Sequence, residues 1–87
     1  MCTSIIAKVP VSGSAKGVAA WMPVSAAVVS FDHPQHAPFD HALSIDFLNE
    51  AAGPGSRVAV ELNAESARAL ARSIEAALAA GASEHLL

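Results

Sequence analysis

The sequence predicts an α+β fold: a four-stranded antiparallel sheet in meander order, with one C-terminal helix packed on one face. Three observations predict it. Four short segments are apolar with β-branched or alternating residues, which is the pattern of half-buried strands. A helical period occurs only in the last third of the chain. The segments between the strands are short, and short connections join antiparallel neighbours. At 87 residues the chain makes one domain, 1–87, with a small core.

Residues 3–11 (TSIIAKVPV) read as the first strand, and Pro10 places it at a sheet edge because proline lacks an amide hydrogen. Residues 12–17 (SGSAKG) read as a turn. Met22-Pro23 is expected to interrupt the next apolar run, since the residue before proline avoids helical angles. The main strand is therefore placed at 24–33, with Ala27, Val29, Phe31 and His33 on one face. The two prolines of 34–39 make that segment a loop. Residues 41–48 alternate again, with His41, Leu43, Ile45 and Phe47 together.

Gly53-Pro54-Gly55 marks the next turn, and 57–62 (RVAVEL) is the fourth strand. On its outer face Arg57 and Glu61 are expected to form an exposed ion pair of little energetic weight. Asn63 reads as the N-cap of a helix over about 64–80. Ala67, Leu70, Ala71, Ile74, Ala77 and Leu78 form its apolar stripe, Glu65–Arg68 and Arg72–Glu75 are spaced to pair, and Gly81 is the expected stop. One helix cannot cover both faces of four strands. The opposite face carries Ala26, Val28, Ala42 and Ala59, so a homodimer or higher homo-oligomer is expected to form on that face or along an edge strand.

The net charge is −3 with five Lys and Arg, so no cationic groove for phosphates is present and nucleic-acid binding is not expected. No apolar run reaches the roughly 20 residues of a membrane span. The N-terminus lacks the basic and apolar regions of a signal peptide. A cytoplasmic protein is the expectation. The single cysteine, Cys2, excludes an internal disulfide.

Three of the four histidines fall in 31–47 (FDHPQHAPFDHALSIDF). Imidazole is the commonest protein ligand for zinc and suits other transition metals. His33 ends one strand, His41 begins the next, and His36 sits on the loop between them. These three are the candidate ligands of a divalent transition metal, zinc first, with Asp32 and Asp40 orienting the imidazoles. Cys2 is a fourth candidate, which would close the site and make it structural. If the initiator methionine is removed, its free amine and thiol would also form a chelating or nucleophilic pair.

Other readings stay open, since the spacing matches no strict zinc signature. The histidines could serve a small-molecule pocket or interface in a non-catalytic oligomeric binding protein. They could also be acid–base groups of a cofactor-free enzyme, with His33 or His41 as general base oriented by Asp32 or Asp40.

The N-terminal Met-Cys-Thr, FDHPQHAP at 31–38, His41 before LSIDFLN, then RVAVEL and AESARAL together resemble a family of short uncharacterised bacterial proteins. The resemblance covers nearly the whole chain. It implies that Cys2, His33, His36 and His41 belong to a recurring pattern, and it implies no activity.

Overall fold

The computed structural model describes residues 5–87. Cys2 lies outside them. The order is β1 (Ile5–Lys16), β2 (Trp21–Asp32), β3 (Ala42–Leu48), a single 3-10 turn at Glu50–Ala52, β4 (Arg57–Leu62) and α1 (Ala64–Ser83). The four strands form one antiparallel sheet in sequence order, so the fold is a meander followed by one helix.

The first hairpin is longer than its composition suggests. β1 runs on through Lys16 and β2 begins at Trp21, with the turn closed by Gly17 N–H donating to the Ala20 carbonyl at 2.9 Å. Met22-Pro23 does not interrupt the strand. Pro23 pairs with Ser14, beyond the Ala26–Asp32 stretch that pairs with β3, so β2 has one neighbour there and a missing amide hydrogen is tolerated. Pro10 does lie on an edge strand. The register shifts between Pro10 and Gly13, where Val11 and Ser12 stand against Ser25 alone, a β-bulge. Trp21, at the turn end of this hairpin, is exposed.

Register assigns the two faces. One carries Val29 and Phe31 of β2, Leu43, Ile45 and Phe47 of β3, and Val58, Val60 and Leu62 of β4; Ile5, Ala7 and Val9 extend it on β1. Every one of these is apolar. The other face is mixed: Ser30, Ser44 and Glu61 form one row, and Val28, Asp46 and Ala59 the next. The core is small, comprising Val24, Ala26, Ala27 and Ala42. Ala26 and Ala42 belong to the mixed face, so two of the three alanines expected to be left over for a partner are covered within the chain, while Ala59 stays exposed.

Asn63 caps α1, its side-chain carbonyl accepting the Ser66 amide at 2.8 Å. The helix passes Gly81, which adopts no positive φ, and ends at Ser83, with the Glu84 amide donating to the Ala80 carbonyl and His85 turning to φ 61°. The expected pairs Glu65–Arg68 and Arg72–Glu75 do not form; Lys8–Glu50 and Arg57–Asp46 are the ion pairs among the described residues. α1 meets the sheet through its first turns, where Ala64, Ala67 and Arg68 line a hollow with Phe31 and Leu43. No residue of the helix is buried.

With so little packing to hold α1, its cap carries weight. Asn63→Ala removes the acceptor for a free first-turn amide and is expected to destabilise the fold by about 1 kcal/mol. Thermal unfolding should then fall by roughly 4–8 °C for a domain of this size.

Candidate functional site

The β2–β3 loop runs from His33 to His41 and includes Pro34 and Pro38. Both strands end here, so the amides of Gln35, His36 and Ala37 have no ladder partner and need another acceptor. Glu61 supplies it. β4 pairs with β3 so that Glu61 stands opposite Ser44, near the start of β3 and on the mixed face. Its carboxylate accepts three consecutive backbone N–H groups: Gln35 at 2.5 Å, His36 at 3.0 Å and Ala37 at 2.9 Å. Asp32 adds a second hold, accepting the His33 amide at 2.7 Å. The expected Arg57–Glu61 pair is therefore not made. Arg57 donates instead to Asp46 at 3.1 Å, across the β3–β4 ladder.

The loop brings two histidines together. The rings of His33 and His41 lie 4.6 Å apart, centre to centre, with 31° between their planes. His41 also stacks on Phe31 at 5.9 Å and 12°. His33 Nδ1 lies 2.9 Å from the Asp40 backbone carbonyl. A carbonyl only accepts, so Nδ1 carries the hydrogen and, in the neutral ring, Nε2 keeps its lone pair. Asp40 thus orients an imidazole as expected, but through its main chain. Asp32 acts on the His33 amide and not on a ring.

His36 is fixed by its main chain to Glu61 and, together with His33, lines a further feature. This is an open groove of about 530 Å³ on the mixed face, bounded by Asp32, His33, Gln35, His36 and Glu61 at the loop and by Ser30, Ser44, Asp46 and Arg57 along the sheet. Among the described residues no three His, Cys, Asp or Glu side chains are grouped to hold one ion. The three histidines are shared between two features: His33 and His41 form a ring pair, and His33 and His36 both line the polar groove. Cys2, the fourth candidate, falls outside the described residues. The residue that sequence reasoning missed is Glu61. Its signal lay in the register, which sets it beside a loop whose prolines leave a run of amides unpartnered.

A family model described as a family of unknown function (DUF6295) matches residues 1–87, so the chain belongs to that family. No curated protein and no solved structure matches it. No helix among the described residues is long and apolar enough to cross a membrane.

The amides of Ala37 and Gln35, and then that of His36, hold the Glu61 carboxyl below its ordinary value of 4.5. A carboxylate with a lowered folded-state pKa contributes stability that is fully present above the unfolded value and lost as pH falls through the folded one. The loop clamp should therefore be intact above about pH 4.5 and released on further acidification. Glu61→Ala is expected to speed hydrogen exchange at Gln35, His36 and Ala37 at neutral pH, and Glu61→Gln to do so less. Unchanged exchange at these three amides in Glu61→Ala would contradict the clamp.

Proposed function

We propose that the protein is a small binding protein that takes up a divalent transition metal, zinc foremost, through the imidazoles of His33 and His41. The observation that carries this reading is the ring pair together with the Nδ1 contact of His33. Metal-ligating histidines commonly donate their second ring N–H to a carbonyl or carboxylate, which fixes the tautomer and the ring's direction. His33 has that arrangement with the Asp40 carbonyl. Zn–N bonds of about 2.0–2.1 Å set two imidazoles on one ion roughly 5 Å apart at their centres, and the observed 4.6 Å is close to that.

Two ligands make a partial site. Cys2 would supply a thiolate, and remaining positions would fall to water or a small ligand. A position held by water would give the ion the means to polarise a small carbonyl compound or lower the pKa of that water. In this reading His36 serves the groove and not the ion. The polar groove favours a second reading as well: Ser30, Ser44, Asp46 and Arg57 offer donors and acceptors to a small polar ligand, in keeping with a non-catalytic binding protein.

Elemental analysis and calorimetric titration with zinc would separate the two. The metal reading expects near-stoichiometric zinc, with affinity lowered at least tenfold in His33→Ala and in His41→Ala, and less in His36→Ala. A weaker site in Cys2→Ser would add a third ligand. A native chain that takes up no zinc, iron or copper would refute the metal reading, and so would loss confined to His36→Ala.

A further inference from the structure

We infer that the helix side of this chain is a self-association surface, and that its occupant is a second copy of the same chain. The argument starts from how little this fold buries. Among the described residues no large side chain is fully buried, and the core consists of Val24 and three alanines. The accessible surface is 6519 Å². A folded monomer of 8.8 kDa is expected to expose about 4,800 Å². The excess, roughly 1,700 Å², falls within the 1,000–2,500 Å² that each partner loses in an obligate homodimer. The radius of gyration agrees in direction: 14.7 Å, against about 12 Å for a compact chain of this length.

Part of that exposed surface is apolar and lies on the helix side. Leu70, Ile74 and Leu78 repeat at helical spacing and remain 43%, 52% and 49% exposed. Beside them lies the all-apolar sheet face, of which α1 reaches only the part around Phe31 and Leu43. An apolar stripe without a sheet and an apolar sheet without a cover occur on the same chain. A two-fold axis satisfies both at once, the outer turns of each helix covering the sheet of the other copy. Such an arrangement closes at two copies. The mixed face, with its Arg57–Asp46 pair and the Glu61 clamp, stays in water.

The surface is independent of metal, so its test is run with chelator present. Sedimentation equilibrium of the native chain, from about 1 to 100 µM, should give twice the chain mass of 8.8 kDa. Leu70→Glu with Ile74→Glu places two charges in the proposed contact and should give the monomer mass, with helix content by circular dichroism compared at matched concentration. Should that variant lose its helix, Ile74→Ser provides a milder change, expected to weaken self-association at least tenfold. Arg72→Glu, on the opposite side of the helix, should leave the dimer intact. A native chain that is monomeric at the highest concentration would overturn the inference, as would a dimer unaffected by the helix substitutions or one dissociated equally by Arg72→Glu.

Discussion

The contact on which the rest of the described site depends is one carboxylate receiving three backbone amides. A loop with prolines at two positions cannot continue either strand, and its free N–H groups would otherwise rely on water. Glu61 collects them from the neighbouring strand, 24–26 residues away in sequence. That contact fixes where the loop lies over the sheet. It is made at the cap of the same hairpin whose two ends carry the paired rings of His33 and His41. The ring pair sits on the first and last residues of the loop, next to the end of β2 and the start of β3, so its spacing follows from the β2–β3 register and from the loop's anchorage together.

Much of this architecture was legible in the sequence. Alternation in 41–48 and 57–62 located β3 and β4, and Asn63 located the start of the helix, because in each case one local rule dominates. The first hairpin was harder. Gly13, Gly17 and Pro23 all signal breaks, but β1 is an edge and the end of β2 has one neighbour, so tertiary pairing overrode the local signals. The helix end was misplaced for a related reason. Gly81 is a stop signal only when the backbone turns left-handed there, and that turn falls at His85 instead.

The site was legible in part. That His33 and His41 would meet follows from strand alternation. That His36 would be tied by its main chain to Glu61 does not, since it depends on where Glu61 sits after the sheet has formed. A side chain's role here is set by cross-strand position and not by spacing along the chain. The apolar helix stripe was plain from its periodicity, but the sequence alone does not show that α1 departs from the sheet after its first turns. The helix side, and not the mixed face, therefore carries the larger uncovered apolar area.

The bulge in β1 has a further consequence. A meander has two rims, and a strand at a rim offers its unused N–H and C=O groups to any extended segment that drifts past. Pro10 removes one such donor from the β1 rim, and the extra residue between Pro10 and Gly13 breaks the even spacing of the others. A chain rich in valine and alanine, with a thin interior, would be prone to runaway stacking into fibrils if that rim were regular. The irregular rim discourages growth along the sheet.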